Sequence, residues 1–550
     1  MLRLLFLCLL IAGCSSDSKN NDPDAGDTDT DTETDTGPLE CSDLDTFDES
    51  QCPETYPSSS CVAYVDGDVA SSGDGWGWDS AVKTVQEGID LAYCGATIHG
   101  ECEQWEVWVK AGTYYIHKGC REHTVRLRSN VALMGGFDGT ETSSSERDCE
   151  TNETILDGRN GPDGEEHVYH VVFARNENDV VLDGFTVTEG RADHETELVH
   201  QGGGGMRSES VSVAVHNCFF ANNFALYGGG IDSWPFDEVH LSNCVFEGNE
   251  AGLYCGAGVF EQGDLVQVDQ SIFRNNTSQK ESGALCAWDT FLEVTDCEFV
   301  DNEVWLENVD VNQAGHAGAA SVTGYGLAIS NVLFKGNSAM GHGGVLITAN
   351  CENVTICDCV FENNRALGGG GVIFLDSLAF DIYGSVFSDN QASIGGAIYN
   401  YQSDGLYSNC VFDGNKAIGY PGWTDGQTGA IFNVGGETVL EQSTFFGNVC
   451  NEENSGGALL VVSVPGEDAV SSMVVTDSIF WGNSIPPIVN EDILLSVTYS
   501  DIEGGYAGTG NIDADPMFVD PDAGDFCLQA GSPCIGAGDG GVDMGAPCPE

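Results

Sequence analysis

Four carboxylates invite a chemical reading. Asp232, Glu261, Asp289 and Asp376 each stand shortly after a glycine-rich apolar step, at nearby phases of a recurring pattern. Stacked on one face they form a carboxylate stripe, and two of them could reach the separation that a glycosidase acid and its partner need. The plainer reading is a solvated acidic face, because Asp plus Glu number 87 against 18 Lys plus Arg, a formal charge of −69. Bases are scarce, and Arg207, Arg274 and Arg365 fall at different phases. Cys357-Asp-Cys359 is too isolated to make a zinc site. No catalytic residue, metal ligand or cofactor is assigned, although so acidic a surface could hold calcium loosely. A second group has a binding character. Trp305, Tyr420 and Trp423, with His194, His200 and His316, fall in stretches inserted into the pattern at 191–201, 303–317, 417–428 and 449–455. Exposed aromatics stack on sugar rings or anchor a protein partner. Trp305, Tyr420 and Trp423 are therefore the candidate ligand-binding residues. The competing reading is that these loops fold back on the body.

The pattern that must position these residues is Phe-x-x-Asn. It occurs at Phe220/Asn223, Phe246/Asn249, Phe273/Asn276, Phe299/Asn302, Phe334/Asn337, Phe361/Asn364, Phe387/Asn390, Phe412/Asn415, Phe445/Asn448 and Phe480/Asn483. Most intervals are 25 to 27 residues, and the rest are 33 or 35. A small residue follows the Asn, as at Ala251 and Ala366, and then a Gly-rich step such as Gly370-Gly-Val372. A fixed period in this range means stacked coils. About 26 residues hold three short strands and their turns. Cys244 and Phe246, two apart, share one face of a strand. The Phe residues then form an internal ladder, and the Asn residues line a turn where αL geometry is tolerated. The fold class is all-β, a parallel β-helix, right-handed by crossover chirality. Insertions in such a stack emerge along one edge, often the binding face.

The charge excludes nucleic acid and anionic membrane surfaces as partners. There are 22 cysteines. With an export signal, that number implies an oxidising compartment and some disulfides. Cys41, Cys52, Cys61, Cys94, Cys102, Cys120 and Cys149 precede the ladder and are the better candidates for pairing. Cys218, Cys244, Cys297, Cys359 and Cys410 share one repeat position and read as small core residues.

Residues 1–13 read as a signal, with Arg3 ahead of a short apolar run. The run ends Leu10-Ile-Ala-Gly-Cys14, which resembles a bacterial lipobox. That resemblance makes Cys14 the lipid-modified N-terminus. Ser15 rather than Asp follows, which by analogy with Gram-negative lipoprotein sorting points to the outer membrane or cell surface. Residues 14–40, with Asp27-Thr-Asp-Thr-Asp-Thr-Glu-Thr-Asp-Thr36, have the composition of a disordered acidic tether. Residues 41–180 form an N-terminal cap and leading coils. A helical pattern runs there from Ser80 to Ala92, with Val82, Val85 and Ile89 on one face and Asp79 or Ser80 as cap. The repeats fill 181–487, with Gly190 standing where the first coil's Asn would be. Residues 488–550 are a last coil and a C-terminal cap, without the alternating segments of a membrane barrel.

Phe-x-x-Asn alternating with Gly-Gly-Ala/Val-Ile/Leu resembles the polymorphic outer membrane protein family of chlamydial adhesins, and more widely the bacterial right-handed β-helix proteins. Gly135-Gly-Phe-Asp-Gly-Thr-Glu141 and Ala111-Gly-Thr-Tyr114 are similar to the segment such proteins carry before their coils. The stretch from Ser478 to Gly545 resembles a choice-of-anchor C-terminal domain. The resemblance covers roughly residues 60–545 and implies a surface protein that binds a polysaccharide or a cell-surface protein. The adhesins carry a C-terminal β-barrel for export; here the lipid on Cys14 stands in its place. β-Helices also include pectate lyases and polygalacturonases, so a polysaccharide lyase or glycoside hydrolase is the alternative. Of the polygalacturonase motifs only Gly341-His-Gly343 is matched, at a position where every coil has its Gly step. A non-catalytic scaffold is the expected function.

Overall fold

The computed structural model describes residues 47, 52–54, 56, 61–99, 102–305, 315–420, 426–452, 455–463, 472–491 and 493–548. The signal, Cys14, the tether, Cys41 and Trp423 lie outside them. The described residues belong to one compact unit, Cys41–Glu550.

That unit is a parallel β-helix. Each complete coil crosses four sheets in turn, as in Glu238–Ser242, Val245–Glu247, Glu250–Tyr254 and Gly258–Glu261. Sheet I has 15 strands, sheet II has 14, sheet III has 10 short ones and sheet IV has 13. The strands pair in parallel with those of the neighbouring coils, as Phe246 pairs with Phe220 before it and Phe273 after it. Residues in αL geometry bend the chain between sheets I and II. Asn217, Asn243, Asp296, Asn331, Asp358, Asn409 and Asp477 all have φ between 51° and 56°. The short polar side chains of the repeat stand where that geometry needs them.

Two ladders hold the coils in register. The Phe rings from Phe220 to Phe480 are buried and stack with centroids 4.6–5.0 Å apart. Beside them, the Nδ2 of Asn364 donates to the Phe334 carbonyl one coil back (3.0 Å) and to Oδ1 of Asn390 one coil on (3.0 Å). Its own Oδ1 accepts from the backbone N–H and Nδ2 of Asn337. The same pattern runs from Asn249 to Asn448, so each amide is buried with its donors and acceptor satisfied. Gly190 does stand in the Asn position, since its N–H donates to Oδ1 of Asn223. The shared Cys position is buried as expected, and it also bonds across coils. Cys244 N–H donates to Ser271 Oγ, Ser271 N–H to Cys297 Sγ, and Cys410 N–H to Ser443 Oγ. Burial pushes the Cys244, Cys297 and Cys410 thiols up to about 12.

The N-terminal cap contains the expected helix, displaced. Helix α1 spans Val85–Cys94, and Thr84 caps it through a reciprocal box with Glu87. Trp78–Ser80 is a separate 3-10 turn. Val82 is extended, its N–H donating to the Tyr64 carbonyl, because strand pairing there outweighs the helical period. Gly88 lets α1 approach the sheet: a Cβ there would meet Val65 at 2.5 Å and Val107 at 2.8 Å. Disulfides Cys52–Cys94 and Cys61–Cys102 tie the cap. Cys149 remains a thiol, contrary to expectation, while Cys255–Cys286 and Cys527–Cys548 are paired. At the other end, the strands Ile488–Glu491, Leu494–Thr498 and Asp501–Ile502 complete the last coil. The tail then turns back along the outside of sheet II. Phe518, Phe526 and Met544 pack with Ile479, Phe446 and Trp481, and Gly545 N–H donates to the Asp477 carbonyl.

Candidate functional site

The insertions fall between sheets III and IV in chain order, as the repeat phase requires. Several of their side chains are already engaged. In the first insertion, His200 stacks on Tyr169 at 4.3 Å and its Nδ1 lies 3.3 Å from Nε2 of buried His170. His170 in turn bonds through Nδ1 to the Gly203 carbonyl. Nδ1 of His194 accepts the N–H groups of Thr196 and Glu197. His316 and His342 stack at 5.4 Å. Nδ1 of His316 accepts the His342 N–H, and Nδ1 of His342 accepts the Gly369 N–H. His342 is thus a repeat variant with a structural use. Tyr420 folds back onto sheet III: its hydroxyl accepts from Arg365 Nε at 3.1 Å, and that guanidinium lies 4.9 Å from the ring centre. Trp305 is half-buried just past Glu303–Val304, its N–H donating to the Ser278 carbonyl. Of the three expected ligand contacts, Trp305 and Tyr420 leave different coils, and Trp423 lies outside the described residues.

The four carboxylates do not form a stripe. Side chains alternate across a strand, so Arg207 and Glu209 point out of sheet IV while Met206 and Ser208 point in. Asp232 pairs in register with Arg207, is buried, and forms a close ion pair with it. Glu261 lies in the next outward column, where Trp288, Thr323, Ala349 and Asp376 follow on successive coils. Asp376 is thus four coils away, about 19 Å at the spacing of paired strands. Asp289 occupies an αL turn one residue beyond the column. Of the four, Asp232 is buried and balanced by Arg207, Glu261 and Asp376 are half-buried, and Asp289 is exposed. Glu209 bridges two cations, accepting from Arg175 Nε at 2.6 Å and Arg207 Nε at 3.1 Å. Burial opposes its ionisation, but the two guanidiniums outweigh that and hold its carboxyl below the usual range. Burial raises the Glu261 carboxyl, with the charges of Asp232 and Asp289 adding to the effect. Among the described residues, no group of three or more His, Cys, Asp and Glu side chains could hold a metal ion.

The same outward column holds two tryptophans that the residue pattern did not single out, Trp234 and Trp288. Ser233 pairs with Phe260, which puts Trp234 beside Glu261, and Glu261 pairs with Trp288. The signal was present as a parity: each Trp stands at the same offset from its coil's Gly step as a carboxylate does from its own. Tyr254 meets Trp288 edge-on at 5.7 Å and stacks on Tyr227 at 5.6 Å, next to the Cys255–Cys286 bridge.

The Chlamydia polymorphic membrane protein repeat matches residues 358–376 and 384–401, which fall in two consecutive coils carrying Phe361/Asn364 and Phe387/Asn390. These coils are similar to that repeat. No curated protein matches the chain. Pectate lyase Pel9A aligns with 12% identity over 89% of this chain and 96% of its own, at a TM-score of 0.31. The A-module of the Azotobacter vinelandii mannuronan C-5 epimerase AlgE4 aligns with 12% identity over 82% and 100%, at a TM-score of 0.20. At such values neither likeness bears on activity. The matched residues contain two rungs of each ladder, Phe361 and Phe387 with Asn364 and Asn390.

Proposed function

We propose that this chain is a lipid-anchored surface β-helix that attaches to a glycan or to a cell-surface protein and performs no catalysis. Cys14 carries the lipid, the acidic segment 14–40 is the tether, and the protein is extracytoplasmic, on the outer membrane or cell surface of a Gram-negative bacterium. The supporting observation is the outer face of sheet IV. It presents the aromatic side chains of Trp234 and Trp288 beside polar ones, and its Arg207 is neutralised by Asp232 and Glu209. Trp305 and Trp423 are candidate contacts along the insertion edge, and Tyr420 acts there by bracing Arg365. Calcium would bind diffusely on the acidic surface. Attachment of the purified chain to cell surfaces and glycan arrays tests the reading, and absence of attachment overturns it.

A polysaccharide lyase or glycoside hydrolase is the second reading, favoured by Arg207 lying among Asp232, Glu209 and Glu261. It requires unsaturated or newly reducing sugar ends from a polymer incubated with the protein and calcium. We expect none, because Arg207 is held in an ion pair and offers no neutral base.

A further inference from the structure

Glu261 and Trp288 pair in one outward column of sheet IV, and Trp234, one residue past the strand Ile231–Ser233 of the preceding coil, continues that column. Trp234 is 40% exposed, and Glu261 and Trp288 are half-buried. Two coil steps separate the indoles, about 10 Å along the axis, with the carboxylate midway. The column is stiff. Parallel pairing fixes the backbone on both sides, Tyr254 props Trp288, and the Cys255–Cys286 bridge joins the two coils that carry Glu261 and Trp288.

We infer that these three residues form a binding site for an extended, uncharged oligosaccharide. Pyranose rings lie on the two indole faces, and a hydroxyl between them donates to Glu261. An indole offers a flat apolar surface with a negative face, which suits the C–H face of a pyranose. The step between the indoles is that of alternate rings in an extended sugar chain, so every second ring meets a tryptophan. The charge balance selects against a uronate. Arg207 is held by Asp232 and Glu209, Arg175 by Glu209, and the carboxylate at the centre repels an anion.

This inference names the ligand class for the proposed attachment function and rests on it. The test titrates the full chain with β-1,4-linked glucose and N-acetylglucosamine oligomers, with oligogalacturonate as the anionic control. Calorimetry gives the affinity and indole fluorescence gives a local readout. Trp234→Ala and Trp288→Ala should each lower affinity at least about tenfold. Trp234→Phe should keep most of it, and Leu494→Ala, a change at an exposed position on sheet I, should leave it unchanged. Equal thermal midpoints show that each variant is folded; if either Ala variant is not, the Leu variant at that position, which also lacks the flat ring and should lose affinity likewise, carries the comparison. The inference falls if the uncharged oligomers do not bind, if both Trp positions are indifferent, if oligogalacturonate binds more tightly, or if the column is covered by a protein partner instead. The two claims can fail separately. Cell attachment without oligomer binding removes the sugar site alone, whereas oligomer binding at Trp234 and Trp288 without cell attachment removes the adhesion reading and leaves the site.

Discussion

Phe361 and Asn364 stand three residues apart and do different work. Phe361 fills space between Phe334 and Phe387, so Phe361→Ala leaves a cavity and should cost about 3–5 kcal/mol in chemical denaturation. Asn364→Ala would orphan the Asn337 N–H, the Phe334 carbonyl and part of Asn390, all buried. Each orphaned group costs about 1–3 kcal/mol, so Asn364→Ala should match or exceed the Phe variant although it removes fewer atoms. A smaller loss for the Asn variant, with the ladder intact, would show that water replaces the amide. Both ladders were legible, because Phe and Asn recur at fixed spacing. The Cys and Ser column was legible as a core position but not as a hydrogen-bond chain, since alternating Cys and Ser hides the common acceptor. Trp234 and Trp288 were missed for a related reason: a column that mixes Trp, Glu, Thr, Ala and Asp has no repeating type to count.

At the scale of elements, the insertion edge depends on neutral imidazoles. His316 and His342 each accept a backbone N–H at Nδ1, which an imidazolium cannot do. Burial lowers their pKa values to about 4 and about 3. Between the ordinary imidazole value near 6.5 and about 4, the unfolded chain takes up protons that these rings refuse. The stability they support is present above about pH 6.5 and declines as pH falls through that window. Protonated carboxylates relieve the overall repulsion in the same range, so the variants must be compared with each other. His342→Asn should lose less thermal stability between pH 7 and pH 4.5 than the wild type does, and parallel curves would refute the assignment. Helix α1 shows where element-level reading fails. The apolar spacing from Val82 onward looked helical, but pairing of Val82 with Val65 claimed the first turn and moved the start to Val85. The back-folding of Tyr420 was open in the sequence, because Arg365 and Gln391 come beside it only through coil stacking.

For the whole molecule, the expected release of the protein from membranes on Cys14→Ser is read by fractionation. Shortening residues 20–36 should leave it attached, since the anchor and the tether are separate in the chain. Membrane retention of the Cys14→Ser variant would sink the lipid anchor. The solenoid body was legible at this scale from period alone. The course of the C-terminal segment was not, because its docking on Ile479 and Phe446 uses residues that lie in repeats far back in sequence.

One coil pairs with the next residue for residue, Phe361 to Phe387 and Asn364 to Asn390, and nothing in either ladder marks which coil is which. The body is therefore a ruler with equal divisions. Removing residues 361–386 would bring Phe387 beside Phe334 in the same relation that Phe361 has now. The excised chain should fold and be shorter by one division, about 4.8 Å, measurable by small-angle scattering. Collapse of this variant would mean that the coils are individually matched. If it folds, the length of the body can change by whole coils through simple duplication or loss, with both ends kept.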